Sequence, residues 1–406
     1  MKNWQIKTLK QLYTPLSNLS YSRECLTETP QRLAYIHYGD IHTDKIPEVV
    51  SAKTTMSFLL DSISIPSEEK YLLKEGDIVL VDASEDYEGV GKNIEISAIQ
   101  NKKIVSGLHT IALRPIDETN LTPGFGRYLL KHPLVSKRLK AIAQGTKVFS
   151  ISFTLIQKLK VPFPPLEEQR KIVEVLETWD NAITLTKQLI EQKELQKKYL
   201  MQQLLTGRTR LKGFTDMWQE TKLGSLLEEK SKRNKKLRIT RVLSVTNTRG
   251  FILPKEQFAR NVASADLSNY KIVQKGDFAY NPSRINVGSI SFLDSFENGI
   301  LSPMYVVFSC SAKLSYFYFK HWIKTGEFIS KVSHAAQGSV RSTVDFSSLS
   351  TIKIKYPTSL FEQQAIAEVF SSANKEIYLL KQKLAKLEEQ KKGLMQILLT
   401  GKVRLK

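Results

Sequence analysis

The side chains that could do chemistry in this 406-residue chain fall into a few short stretches, and the first question is what reaction their spacing permits. Gly89-Val90-Gly91-Lys92-Asn93 has the glycines and lysine of a phosphate-cradling loop, but not the GxxxxGK[ST] spacing that places backbone N–H groups and a lysine around a phosphate chain. It reads as a loop between strands. Asn281-Pro282-Ser283-Arg284 begins like an Asn-Pro-Pro-aromatic turn, which holds a flipped base for methyl transfer. Arg284 stands where the stacking ring belongs, and no glycine-rich cofactor loop accompanies it. The six histidines (His37, His42, His109, His132, His321, His334) and the cysteines Cys25 and Cys310 show no metal-ligand spacing, and no carboxylate pair with a following lysine has a nuclease layout. The residues therefore predict no active site, no metal and no cofactor of the chain's own.

What remains is a set of polar and basic loop residues suited to reading a nucleic acid. Base edges are read by Arg, Lys, Asn, Gln and Ser, while lysines on phosphates add sequence-independent affinity. In the first half these are Tyr87, Lys92 and Asn93 in loop 84–93, and Gln144, Thr146, Lys147 and Ser150 after the Ala143-Gln144-Gly145 turn. In the second half they are Arg249, Asn281, Ser283, Arg284 and Asn286, with Gln337, Ser339, Arg341 and Ser342. Glycine in each Gln-Gly turn would let backbone approach a phosphate closely. The run Lys230-Ser231-Lys232-Arg233-Asn234-Lys235-Lys236 is a further candidate for phosphate contact.

Charge supports this direction. The formal net charge is +20, with +6 in residues 1–212 and +14 in residues 213–406, so both halves are basic and a polyanion is the expected partner. Hydrophobic residues at 41% exclude wholesale disorder. Two cysteines cannot form a disulfide scaffold and are expected to be buried, reduced thiols. The opening MKNWQIKTLK lacks an apolar signal core, and no stretch is long and apolar enough to span a membrane, so a cytoplasmic protein is expected.

The elements that must position these loops are duplicated. Residues 166–212 and 360–406 align without a gap at an offset of 194, with 24 identities in 47 positions. Upstream the match is weaker and the offset drifts. Trp4, Leu9 and Leu12 answer to Trp218, Leu223 and Leu226 at 214, Gly76-Asp77 to Gly276-Asp277 at 200, and Ala143-Gln144-Gly145 to Ala336-Gln337-Gly338 at 193. The plan is a variable unit, a fixed unit, and both again.

The fixed units predict long helices. Ile172, Leu176, Trp179, Ile183, Thr186, Ile190, Leu200 and Leu204 form one stripe; Ile366, Phe370, Ala373, Ile377, Leu380, Leu384, Leu387, Leu394 and Leu398 form the other. About 40 residues at 1.5 Å each give rods of roughly 60 Å. Seams this long predict that the two rods pair, antiparallel. Ser359 with Glu362 fits a capping box, Pro164-Pro165 precedes the first helix, and Gly207 and Gly401 are stops. The variable units read as mixed α/β, with strands at 77–81, 110–113 and 304–308 and helices at 127–139 and 316–331. The fold class expected is α+β: two mixed α/β domains, residues 1–160 and 213–355, separated by an antiparallel two-helix coiled coil from residues 161–212 and 356–406. Leu185, Leu195, Tyr199, Met201, Tyr378, Leu379 and Met395 lie off the seam, available to a flanking domain or a partner helix.

The repeated LxEQ…LMQxLLTGxxRLK, with a tryptophan opening each variable unit, resembles the specificity subunit of type I restriction-modification enzymes. That resemblance covers essentially the whole chain. It implies two target-recognition domains that read a bipartite, asymmetric double-stranded DNA sequence without catalysis. It also implies two modification subunits, which bind S-adenosylmethionine themselves, and restriction subunits as partners. The alternative reading of the rods is a coiled-coil adaptor without DNA specificity.

Overall fold

The computed structural model describes residues 4–65, 67–87, 89–145, 147–253, 266–337 and 343–405. The two fixed units are helices of 39 residues each, Leu166–Leu204 and Leu360–Leu398. The chain divides into two compact units, residues 1–186 with 383–406, and residues 187–382. Each long helix therefore gives one stretch to each unit.

Within the first unit the two helix stretches run antiparallel, since Asp180 pairs with Lys391 and Glu168 with Arg404. Within the second, Lys193 pairs with Glu376 at 2.8 Å and Arg210 with Glu362 at 2.6 Å, again antiparallel. The predicted stripe is the covered face. Ile172, Leu176, Ile183, Thr186 and Ile190 are buried on the first helix, and Ile366, Phe370, Ile377 and Leu398 on the second. Burial along a 3.5-residue period, with Glu, Lys and Gln elsewhere, is why these sequences form helices that pair.

The first unit adds a five-stranded sheet ordered Tyr13–Leu16, Thr110–Pro115, Ile78–Val81, Asn93–Ile96, Val49–Val50. A four-stranded sheet is ordered Ile104–Ser106, Leu33–Ile36, Ser57–Leu59, Leu26–Thr27. The second unit has a four-stranded sheet ordered Leu227–Glu229, Val306–Cys310, Phe278–Tyr280, Ile290–Phe292. The two units share a framework. Gln5–Thr8 pairs with Lys160–Phe163 and Trp218–Lys222 with Lys353–Pro357, and Gln5 faces Phe163 as Gln219 faces Tyr356. The Gly-Asp turns also recur: buried Asp77 accepts from the Lys74 amide at 2.7 Å, and buried Asp277 from the Gln274 amide at 2.8 Å.

The structure changes three local expectations. The helix expected at 127–139 is two, Phe125–Leu130 and Pro133–Ile142, because Pro133 has no amide to continue the first while suiting the start of a second, capped by the His132 ring. The helix expected at 316–331 is likewise divided, into Tyr316–Trp322 and Gly326–Gln337. At the second long helix Ser359 accepts from the Glu362 amide, but the Glu362 carboxylate bonds Arg210 and Trp218, so the box is half formed. Cys25 and Cys310 are free and half-buried; burial pushes the Cys310 thiol up to about 12.

After each long helix the chain turns at glycine. Gly207 has φ +70° and Gly401 φ +67°, both left-handed. A Cβ on Gly207 would meet the Trp218 ring at 2.9 Å, and one on Gly401 would meet Trp4 at 3.5 Å. Gly207→Ala should therefore destabilise by about 1–3 kcal/mol from backbone strain and crowding together. Gly401→Ala should cost less, because only the strain applies. Urea midpoints of the two variants against wild type test this order.

Candidate nucleic-acid interface

Each unit is closed by the same three side chains. In the first, the Glu168 carboxylate accepts from the Trp4 indole at 2.8 Å and from both nitrogens of the Arg404 fork, at 2.5 and 2.6 Å. In the second, Glu362 accepts from Trp218 at 3.1 Å and from Arg210 at 2.9 and 2.6 Å. The neighbouring glutamine completes the closure. Gln169 bonds the Thr122 amide and the Pro164 and Asn120 carbonyls; Gln363 bonds the Ser315 amide and the Pro357 and Lys313 carbonyls. The EQ and RLK of the repeat are thus one interlock, joining the opening strand, the first turn of one long helix and the tail of the other. Bidentate Arg–carboxylate geometry fixes orientation as well as energy.

On this frame the candidate loops are held by short ribbons. In the first unit Ala83–Ser84 pairs with Phe149–Ser150, the Ile151 amide donates to Asp82 O at 2.8 Å, and Gln144 and Ser150 exchange backbone bonds. The exposed Tyr87 ring stacks on Phe149 with centroids 3.8 Å apart. The structure thus gathers Tyr87, Gln144, Lys147 and Ser150 around one hairpin, with Gln144, Lys147 and Ser150 exposed. Gly145 has φ +133°, and a Cβ there would fall 1.8 Å from Val148 O, so the hairpin itself requires glycine. Lys92 is drawn aside, to Asp44 at 2.6 Å and His42 O at 3.1 Å. Asn93 is only 2% exposed, in a sheet strand, bonding Gly91 O. Thr146 lies outside the described residues.

In the second unit the Val344 amide donates to Pro282 O at 3.0 Å, the counterpart of Ile151 and Asp82. Asn281 shapes its loop by accepting from the Ser283 amide at 3.0 Å, which leaves Ser283 and Arg284 exposed and Asn286 half-buried in the short turn Ile285–Val287. Ser289 donates to Val245 O at 2.9 Å, tying this loop to the ribbon whose turn exposes Arg249. Gln337 ends helix Gly326–Gln337, which packs on the Ile285–Val287 turn. The Gln337 side chain, Ser339, Arg341 and Ser342 lie outside the described residues. The basic run is partly spent on structure. Lys230 pairs with Asp277 at 2.5 Å, Arg233 donates to Asn269 O, and Asn234 is buried, bonding Ile239.

Sequence reasoning missed the roles of Glu168, Glu362, Arg210 and Arg404, although their spacing at an offset of 194 was the available signal. No cluster of metal-ligating side chains occurs among the described residues, and no described helix is long and apolar enough to cross a membrane.

The comparisons fall on this geometry. The type I restriction modification DNA specificity domain matches residues 1–195 and again 216–389. The chain belongs to that family. It is 26% identical to the MjaX type I restriction enzyme specificity subunit of Methanocaldococcus jannaschii, over all of this chain and 95% of that one. It is also 26% identical to the MjaVIII specificity subunit of the same organism, over 66% of this chain and 68% of the relative. Among solved structures it resembles a type I S subunit from M. genitalium, with TM-score 0.55 at 15% identity, covering 98% of this chain and 96% of that one. A chain solved in work on assembly and conformational transition of the type I R-M system gives TM-score 0.57, also at 15% identity, over 98% and 97%. These likenesses show the α+β fold, with two mixed domains and long helices, in a family of specificity subunits.

The interlock makes acid stability readable. Burial works to raise the Glu168 carboxyl, but the bonds from Arg404 and Trp4 outweigh it and hold the group below its ordinary 4.5. A lowered folded pKa means that the unfolded chain takes up the proton first. The contribution is thus full above about pH 5 and fades as pH falls from the ordinary value through the lowered one. Glu168→Gln should lose about 2 kcal/mol at pH 7. The gap between wild type and variant should narrow at pH 3, as urea titrations at the two pH values would reveal.

Proposed function

We propose that this chain is the non-catalytic DNA-reading subunit of a type I restriction-modification system, recognising a bipartite, asymmetric double-stranded target. Residues 1–160 and 213–355 are the two readers, and residues 161–212 and 356–406 the helical spacer. The observation that carries this is the duplication itself: one framework, closed twice by Trp–Glu–Arg, bears loops that differ between the copies. Like frameworks suit the two-fold symmetry of the DNA backbone, and unlike loops suit unlike half-sites. Tyr87, Gln144, Thr146, Lys147 and Ser150 serve the first reader, with Lys92 and Asn93 behind them. Arg249, Asn281, Ser283, Arg284, Asn286, Gln337, Ser339, Arg341 and Ser342 serve the second.

The spacer acts as a ruler whose length sets the unread base pairs between half-sites. Off its seam, Leu185, Leu195, Tyr199, Tyr378 and Leu379 are exposed, whereas Met201 and Met395 pack into the cores of their own units. The exposed set supports docking of two modification subunits, which bring S-adenosylmethionine and methylate adenine; restriction subunits complete the assembly. The family membership supports the absence of an active site here.

Sequencing methylated bases in the host with and without the gene is the direct test: one bipartite methylated motif should vanish with the gene. Exchanging residues 1–150 for those of another family member should alter one half-site only. Adding one helical turn to both rods should change the gap and leave both half-sites alone. Loss of no motif on deletion would favour the adaptor reading.

A further inference from the structure

The duplication supplies an internal control for charge. Where the first unit packs its helix Phe125–Leu130 on the long helices, cations and carboxylates are matched. Arg127 pairs with Glu177 at 2.9 Å, Tyr128 donates to Asp180 at 2.5 Å, Lys391 pairs with Asp180, and Lys131 with Glu48 at 2.6 Å. At the offsets of the repeat, Arg127, Tyr128 and Lys131 correspond to Lys320, His321 and Lys324, and Lys391 to Lys197. Glu177 and Asp180 correspond to Ser371 and Asn374. The second unit keeps all three cations and has lost both acids of the long helix.

The consequence is visible in its geometry. Lys320, His321, Lys324 and Asn374 line a cleft together with the exposed Arg249 turn, and Asp294 is the one carboxylate among the described lining residues. None of Lys197, Lys320 and Lys324 makes an ion pair among the described residues. Lys320 lies over the Phe292 and Phe317 rings, at 5.6 and 5.1 Å. Glu194, whose charge acts on Lys197, is itself bonded to Lys381 at 2.6 Å. Burial, aided by Lys320, Lys324 and Lys197, pulls His321 down to about 3, so the ring is neutral at pH 7. Three lysines gathered with Asp294 as the one lining carboxylate among the described residues repel one another, and a folded unit that retains them gains when an anion sits there.

Resting on the DNA-reading function above, we propose that this cleft binds phosphate oxyanions of the DNA backbone, as a sequence-independent anchor that the corresponding described residues of the first unit do not form. The Arg249 turn at its rim continues the surface assigned to the second reader, so a duplex held by that reader brings its phosphates to Lys320 and Lys324. In the first unit the same positions are internally neutralised and serve packing instead.

The test uses the full chain and a duplex of arbitrary sequence. Lys320→Gln with Lys324→Gln should weaken binding several-fold and flatten the dependence of log K on log salt by about 0.9 per lost phosphate contact. Ser371→Glu with Asn374→Asp, which installs the first unit's acids, should also weaken binding and flatten the slope while holding or raising the Tm. Unfolding cannot imitate that combination. Unchanged affinity and slope in both variants, with wild type binding normally, would overturn the cleft but not the DNA reading. Failure of the wild-type chain to bind any duplex would sink both. Inorganic phosphate is the second probe: if it stabilises wild type and not the acid variant, while duplex binding is equal in the two, the cleft holds a free anion and the proposal fails.

Discussion

A buried carboxylate shared between a tryptophan indole and an arginine fork is the constraint on which each unit depends. Glu168 and Glu362 are 6% and 0% exposed, and a carboxylate so placed is tolerable only when it is fully hydrogen-bonded and paired. Trp4 with Arg404, and Trp218 with Arg210, meet that demand. In the first unit satisfying one charge joins three distant stretches of chain, Trp4, Glu168 and Arg404; in the second it joins the Glu362 helix start to Arg210 and Trp218, which follow one another closely after the other helix. The adjacent buried glutamines extend the same closure to the loops before each reader's helices.

This frame explains how loops can diverge while the fold does not. The ribbon bonds Ile151–Asp82 and Val344–Pro282 are made by backbone atoms, and so are indifferent to the side chains around them. Sequence can change at Lys147 or Arg284 without disturbing those backbone bonds. The same frame explains how one pair of helices came to carry acids in one unit and Ser371 and Asn374 in the other. The seam residues Leu176 and Phe370 supply the packing, which frees the flanking positions to take either charge state.

The long helices were the most legible part of the sequence, because 24 identities at a single offset and a stripe of 3.5-residue period act over dozens of residues. The Gly-Asp turns and the strands near residues 78–81, 110–115 and 306–310 were legible for local reasons of turn chemistry and β-branched runs. The breaks at Lys131–His132 and before Gly326 were not, since each helix on either side is short and its apolar pattern runs on across the break. Site residues were less legible still. Lys92 has the look of a loop cation, yet its partner Asp44 lies 48 residues away, and Asn93 sits in a strand whose burial comes from neighbours remote in sequence. Which polar side chain faces outward is settled by tertiary pairing that no local pattern encodes.

The sharing of helices also bears on how the molecule is made. The first unit draws residues 383–406 into its core, with Leu398 and Leu399 at 2% exposure and Arg404 on Glu168. A ribosome delivers the amino-terminal part first, and most domains fold in that order. Here the first unit must wait for residues 383–406, made after all of residues 187–382, before its apolar face is covered. A stop codon just before residue 383 would therefore cripple the first unit, made long before it, and leave that unit to chaperones and proteases.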